Sequence, residues 1–247
     1  MTKMGLLSCA MSIALLLSAL PANAQLSEGF DDFPALLSPA GGWLVLNNSQ
    51  PVGDITWGQG DTAPNGEGFT SQSGADNSFA GVNFNAGGTG AAVSDWLITK
   101  PIPIQNGTVI SFYTREAPVN ANDQNFPNDL QVRLSLTGTD VGSTPTSVGD
   151  FTTLLLDVNP TFSTTAATGY PQNWTKLNIT ISGVPTPTTG EIGFRYFLLN
   201  NGTQGTGIGI DTLSVTTVPE PSRLALLALG GLGLVFFKFK LREWRLS

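Results

Sequence analysis

The stretch LQVRLSL, residues 130–136, alternates apolar and polar side chains without a break. Its even-numbered positions are leucine or valine, and its odd-numbered positions are Gln131, Arg133 and Ser135. Because successive side chains of a β-strand point to opposite faces, this period of two predicts a strand with one buried and one solvated face. The stretch LNITI, residues 177–181, repeats the pattern.

Similar strand-like runs occur along most of the chain and are separated by clusters of Gly, Pro, Asn and Asp, which favour turns. They cover residues 43–47, 78–83, 96–99, 109–114, 152–157, 192–199 and 208–215. About nine or ten strands, without a comparably clear amphipathic helix, predict an all-β fold. For one domain of this size we expect a two-sheet β-sandwich of the jelly-roll kind, with Phe112 and Phe194 deep inside it.

The composition excludes several classes of chemistry. The 247 residues contain no His and a single Cys. A Ser-His-Asp triad, a Cys-His dyad, a His-ligated zinc site, a c-type haem and a disulfide framework therefore cannot be built from this chain. Charged residues make up only 12%, whereas Gly and Pro number 29 and 16, which suits short strands and turns.

The N-terminal end has the features of a secretory signal peptide. Lys3 precedes an apolar stretch at residues 13–20, and small residues in an A-x-A arrangement end at Ala24. We therefore predict a signal peptide over residues 1–24 that is cut between Ala24 and Gln25. The mature domain is predicted to span residues 25–217.

The C-terminal end, residues 218–247, has the order motif, apolar run and basic tail. Its motif consists of Val218, Pro219, Glu220 and Pro221. The 14 apolar residues that follow would extend only about 21 Å as a helix, short of a hydrocarbon core of roughly 30 Å. A helix extended to about residues 222–239, with basic residues reaching the interface, is just long enough to span. The basic tail predicts a cytoplasmic C-terminus.

This C-terminal arrangement resembles a PEP-CTERM sorting signal. The resemblance implies a tail held transiently in the inner membrane, recognised by an exosortase and removed near the Pro-Glu-Pro motif. It also implies export by a Gram-negative bacterium that makes exopolysaccharide, and a final location at the cell surface or in the extracellular matrix.

The mature domain is strongly acidic. It has five basic against 16 acidic residues, a net charge of −11. Because nucleic-acid binding depends on Lys and Arg that neutralise phosphates, this balance predicts no nucleic-acid partner. It favours divalent cations instead.

A candidate calcium site follows from an irregularity in the last strand-like run. The apolar residues change parity near Asp211, and a β-bulge there would restore the register. Asp211 is then either a solvated carboxylate beside a turn or a calcium ligand, joined by Glu28 and Asp31 or by Asp76 and Asn77. Without His or Cys ligands, calcium is the one metal that we predict as a cofactor.

Separated pieces of the mature domain together resemble a choice-of-anchor J domain, a family similar to the cleaved-adhesin and MAM-like jelly rolls. The resemblance implies a β-sandwich used in adhesion or recognition, with calcium in some relatives and no catalytic residues. The pieces are EGFD 28–31, GW 42–43, DWLIT 95–99, ISFYTR 110–115, LQVR 130–133, VGDFTTL 148–154 and GID 209–211.

These observations favour a non-enzymatic surface or matrix protein that binds exopolysaccharide, a surface glycan or another adhesion partner. Trp57 and Tyr170 lie among loop-forming residues and are the predicted sugar-stacking positions, with core packing as the alternative. Residues 118–128 are predicted as a mobile surface loop or a binding loop. An extracellular carbohydrate-active enzyme with paired carboxylates and a purely structural matrix protein remain alternatives. The sequence does not predict an oligomeric state.

Overall fold

A computed structural model of the chain describes residues 23–63, 66–118 and 126–217. Most of the predicted signal peptide, the sorting motif, the apolar segment 222–239 and the middle of the predicted loop 118–128 lie outside these residues. Within the described ranges, no helix is long and apolar enough to cross a membrane.

The described chain is built almost entirely of β-strands. Its helical elements are a short helix α1 (Phe33–Leu36) and a 3-10 turn (Phe84–Ala86). The strands are β1 (Asn23–Glu28), β2 (Leu44–Asn47), β3 (Gln50–Val52), β4 (Gly58–Gln59), β5 (Ala80–Asn83), β6 (Gly87–Ile98), β7 (Ile102–Ile104), β8 (Val109–Glu116), β9 (Leu130–Ser135), β10 (Thr153–Asp157), β11 (Thr175–Thr180), β12 (Thr188–Leu198) and β13 (Gly207–Thr217).

The strands form two antiparallel sheets. Sheet A has the order β11-β8-β13-β5-β4, and β1 also pairs with β13. Sheet B has the order β10-β9-β12-β6-β2, with β3 added to β6 and β7 added to β12. Asn23–Thr217 forms one compact unit. The predicted two-sheet β-sandwich is confirmed.

The core lies between the two sheets and consists of their alternating inward side chains. Phe112 on β8 and Phe194 on β12 are fully buried, and their rings meet edge to face at 5.3 Å. Such edge-to-face contacts between opposite sheets add to the burial of apolar area. The predicted deep position of both rings is confirmed.

The outer face of sheet B differs from the solvated face that the alternation in β9 predicts. Trp96 and Phe151 form a second apolar cluster there, together with Val141 from the segment that follows β9. This segment also covers Arg195, which is 2% exposed and donates hydrogen bonds to Ser94, Gln131 and the Pro145 carbonyl. The prediction of a solvated polar face is therefore wrong here, because a long connection folds over it.

Strand β13 contains the predicted bulge. Its pairing with β8 shifts between Asp211 and Ser214, and Thr212 has a positive φ of 51°. Before the shift β13 pairs with β5, and after it β13 pairs with β1. The bulge thus lies where β13 changes its neighbour.

Candidate functional site

The two aromatic residues predicted to stack on sugars are buried. Trp57 is 1% exposed, and its indole Nε1 donates to the Asp95 carbonyl at 3.0 Å. Tyr170 is 3% exposed, and its hydroxyl is hydrogen-bonded to Thr114 Oγ1 at 2.6 Å. The prediction that both rings are open to a sugar is wrong. Both are buried and form hydrogen bonds with residues distant in sequence, Asp95 and Thr114.

Two other aromatic residues, Tyr113 and Trp174, are partly exposed on the outer face of sheet A. Tyr113 lies in the middle of β8, directly opposite Lys176 on β11 and Asp211 on β13. The Lys176 ammonium lies 5.9 Å from the centre of the Tyr113 ring. Tyr113 therefore presents an aromatic ring beside an exposed cation.

Short polar side chains continue this face along the strands. Ser111 on β8 pairs with Asn178 on β11 and with Ser214 on β13. Because side chains two positions apart share a face, these residues extend the surface that begins at Tyr113 and Lys176. We call these five residues the outer shelf.

Phe69, Phe79 and Trp174 form an aromatic wall at one end of the outer shelf. Trp174 Nε1 donates to the Thr70 carbonyl at 2.9 Å. The centre of its ring lies 5.5 Å from that of Phe69 and 5.9 Å from that of Phe79, and both pairs are T-shaped. The Arg115 guanidinium lies 4.5 Å from the centre of the Phe69 ring. These contacts hold the wall in a single arrangement.

A glycine in β13 allows this wall to pack closely on the sheet. A Cβ atom on Gly209 would lie 2.9 Å from the Phe69 ring and 3.0 Å from the Phe79 ring. A larger residue would therefore push both rings off the strand.

Asp211 connects the bulge to the loop that forms the wall. Its Oδ2 accepts hydrogen bonds from the backbone N–H groups of Gln72 and Ser73 at 2.8 and 3.0 Å. Its Oδ1 accepts from the Thr212 N–H at 2.5 Å. Burial raises the pKa of Asp211, while these backbone donors act in the opposite direction. Asp211 therefore fixes the loop beside the outer shelf.

Three of the predicted calcium ligands, Glu28, Asp31 and Asp211, lie near the bulge of β13. Glu28 Oε1 accepts from the Phe30 N–H at 2.8 Å, and a Cβ atom on Gly74 would lie 3.0 Å from Asp31 Oδ1.

The other two predicted ligands, Asp76 and Asn77, accept hydrogen bonds through their backbone carbonyls. The Asp76 carbonyl accepts from the Ser71 N–H at 2.8 Å, and the Asn77 carbonyl accepts from Gln59 Nε2 at 2.5 Å. Among the described residues, no group of three or more acidic side chains is arranged to hold a metal ion. Calcium also takes backbone carbonyl oxygens as ligands, so this finding does not test the predicted site. The calcium site stays a prediction.

Two carboxyl groups, those of Asp129 and Asp157, lie close to each other beside strands β9 and β10. Asp129 is 1% exposed, and its Oδ1 accepts from the Asn159 N–H at 3.0 Å. Burial, and next the neighbouring Asp157, raise the pKa of Asp129 to about 7. Asp157 Oδ2 accepts from Gln131 Nε2, and its buried Oδ1 has no hydrogen-bond partner among the described residues. Asp129 therefore keeps its proton to a higher pH than an exposed carboxyl group does.

Comparison with known families identifies the C-terminal segment. Residues 217–242 match the family model described as the PEP-CTERM protein-sorting motif. The chain carries a PEP-CTERM sorting signal. A signal of this kind marks a protein for export and sorting to the cell surface. A comparison with curated proteins found no match.

Solved structures similar to this chain are β-sandwich domains. The K1 cleaved adhesin domain of Lys-gingipain from Porphyromonas gingivalis is 22% identical with a TM-score of 0.50, and the match covers 78% of this chain and 97% of that domain. The K3 domain is 17% identical with a TM-score of 0.48, covering 79% and 100%.

The carbohydrate-binding module TmCBM61, solved with β-1,4-galactotriose, is 12% identical with a TM-score of 0.41, covering 78% and 97%. The likeness to the K1 domain confirms the predicted adhesin-like fold.

Proposed function

We propose that this protein is a non-enzymatic binding module that acts in adhesion or exopolysaccharide association, in the extracellular matrix or at the cell surface. The observation that carries the proposal is the match to the sorting motif, which begins at Thr217, the last residue of β13. In the sequence, the matched segment therefore begins where the last strand of the sandwich ends. Transient partners would be the exosortase and the inner membrane.

The outer shelf supports a binding role. It presents an aromatic ring, hydroxyl groups, an amide and an ammonium group on one face of a rigid sheet. Aromatic rings pack against apolar surfaces, whereas hydroxyl and amide groups form hydrogen bonds. A sugar ring offers both kinds of surface.

The arrangement of carboxyl groups does not favour the alternative of a carbohydrate-active enzyme. Retaining and inverting glycosidases place their two carboxyl groups about 5 Å or more apart so that the sugar or a water lies between them. Asp129 is 1% exposed and its Oδ1 accepts from the Asn159 N–H, which leaves no room for a sugar at this carboxyl group. We therefore propose that this pair has no part in glycoside hydrolysis.

The binding role is tested by calorimetry. The mature domain, residues 25–217, is titrated with exopolysaccharide from the producing bacterium, first with calcium and then with excess chelator. We expect saturable heat. Loss of this heat on chelation would support the calcium prediction, whereas equal heat in both buffers would contradict it. No heat in either buffer would favour a purely structural matrix protein.

Sorting is tested on native material. Intact mass spectrometry of protein released from cells should show an N-terminus at Gln25 and no residues beyond the region of Pro221. Residues 1–24 still attached would contradict the predicted export. A tail retained only in the membrane fraction would indicate simple anchoring rather than exosortase processing.

A further inference from the structure

We infer that the outer shelf of sheet A is the glycan-binding site of this protein and that its ligand is an acidic polysaccharide, one that carries carboxylate groups on its sugars. The inference rests on the proposed binding function and adds the site and the class of ligand.

The shape of the surface fits a chain of sugars rather than an isolated small molecule. The shelf follows three adjacent strands, β11, β8 and β13, and its polar side chains lie in register across them. Residues two positions apart on a strand are separated by about 7 Å. Tyr113 and Ser111 can therefore contact successive parts of one extended chain.

The rigidity of the site reduces the cost of binding. Its floor consists of paired strands, and its wall is held by the Trp174 indole hydrogen bond and by the bonds from the loop to Asp211. Groups that are already ordered lose little conformational entropy when a ligand binds. The surface is thus preorganised for binding.

The outer shelf carries an exposed cation, although the domain as a whole is negative and the exposed residues Asp31 and Asp76 lie at the loop that contacts Asp211. Two of the five basic residues of the mature domain, Arg115 and Lys176, lie on this face. Asp211, the acidic residue on the outward side of β8, β11 and β13, is fully buried and accepts hydrogen bonds from backbone N–H groups. Glu67, which packs over Gly81 beside the wall, is 4% exposed.

The ammonium of Lys176 is exposed and lies 5.9 Å from the centre of the Tyr113 ring. A carboxylate on a sugar that stacks against Tyr113 would lie beside this ammonium. An ion pair of this kind selects acidic sugars over neutral ones, because a neutral sugar leaves the ammonium without a partner.

The experiment compares two forms of one polysaccharide. Exopolysaccharide from the producing bacterium is used untreated and after chemical reduction of its carboxylates to alcohols. Calorimetry is carried out with the mature wild-type domain and with Tyr113→Ala, Lys176→Gln and Lys100→Gln. Lys100 is the matched control, because it is also an exposed lysine but follows β6 in sheet B. Thermal unfolding checks that each variant is folded.

We expect Tyr113→Ala to weaken binding to the untreated polymer about tenfold, the loss that corresponds to about 1.4 kcal/mol. Lys176→Gln should weaken binding to the untreated polymer about fivefold and leave binding to the reduced polymer unchanged. Lys100→Gln should change neither.

Three results would overturn the inference in different ways. Wild-type binding that neither Tyr113→Ala nor Lys176→Gln weakens would remove the site but leave the proposed function. Equal wild-type affinity for both polymers would remove the acidic class of ligand. No wild-type binding to either polymer would remove the proposed function and this inference together.

Discussion

At the scale of single residues, Asp211 shows how one side chain can organise a surface. Its carboxylate accepts backbone hydrogen bonds from Gln72, Ser73 and Thr212, residues that form no regular ladder with it. Hydrogen bonds to a charged group are stronger than those between neutral groups. The bulge places this carboxylate against the loop that contains Gln72 and Ser73. The same loop contacts the aromatic wall, because the Thr70 carbonyl accepts from Trp174 Nε1.

We predict that Asp211→Ala lowers the free energy of unfolding by about 2–4 kcal/mol, because it leaves buried N–H groups without an acceptor. Urea denaturation of the mature domain measures the change. Asp54→Ala is the control, since Asp54 is exposed, and it should change stability by less than about 0.5 kcal/mol. A loss at Asp211 no larger than at Asp54 would contradict the anchoring role.

The limits of sequence prediction are clearest for the aromatic residues. Trp96 lies in an apolar run and is completely buried in the second apolar cluster. Trp57 stands among Gly, Asp and Thr, yet Asp95, 38 positions later, accepts a hydrogen bond from its indole through the backbone carbonyl. Local composition does not reveal such a distant partner. For Tyr113 the sequence predicts the strand. It does not predict which residues of the neighbouring strands share the outer face with Tyr113, because that depends on the strand pairing.

At the scale of elements, β13 joins two parts of sheet A. Its first half pairs with β5 and its second half with β1, while β8 lies along the other side of both. Gln25 Nε2 donates to Thr217 Oγ1 at 2.7 Å, which ties the predicted mature N-terminus to the last residue of the sandwich. The end of β13 that leads to the sorting signal therefore depends on β1.

We predict that Leu26→Ala speeds amide hydrogen exchange over residues 213–217 at least several-fold more than over residues 207–210. Leu26 is 5% exposed and pairs with Val215, so its truncation removes packing from that half of β13. Exchange followed by mass spectrometry of peptic fragments makes the comparison.

Val82→Ala provides the mirror-image control. Val82 is fully buried on β5 and pairs with Ile208, so this variant should instead speed exchange over residues 207–210. Equal effects of Leu26→Ala and Val82→Ala on both halves would show that β13 opens as one unit.

The strands themselves were largely predictable, because a period of two survives wherever one face is buried. Every strand-like run of the sequence corresponds to an observed strand. The N-terminal half of β6 was not predictable, because residues 87–92 read GGTGAA and glycine is unfavourable in strands. Pairing with β3 holds part of this segment in the ladder, a tertiary effect that no local pattern contains.

At the scale of the whole molecule, the acidic domain buries several of its carboxyl groups. Burial is the largest cause that raises the pKa of each, to about 8 for Asp95 and to about 7 for Glu67, Glu116 and Asp129. The sequence indicates the acidity of the domain but not which carboxyl groups are buried, because burial depends on how loops such as the one after β9 close over the sheets. Taken together, these groups set the pH dependence of stability.

The sign of that dependence follows from the raised values. Between about pH 4 and pH 7–8 the folded domain keeps protons on these groups that the unfolded chain releases. Their contribution is complete below the unfolded pKa and is lost as the pH rises through the folded pKa. We predict that the free energy of unfolding of the mature domain falls by several kcal/mol between pH 4.5 and pH 8, measured by urea denaturation at each pH.

A single variant can assign part of this slope. Each proton retained on folding contributes about 1.4 kcal/mol per pH unit. Asp95→Asn removes the group with the pKa of about 8 while keeping an oxygen that can accept from Thr56 or from the Trp57 N–H. The slope between pH 5 and pH 7 should therefore decrease by about that amount, whereas the exposed control Asp54→Asn should leave it unchanged. A stability that rises over this range in the wild-type domain would show that these carboxyl groups are ionised in the fold and satisfied by their hydrogen bonds.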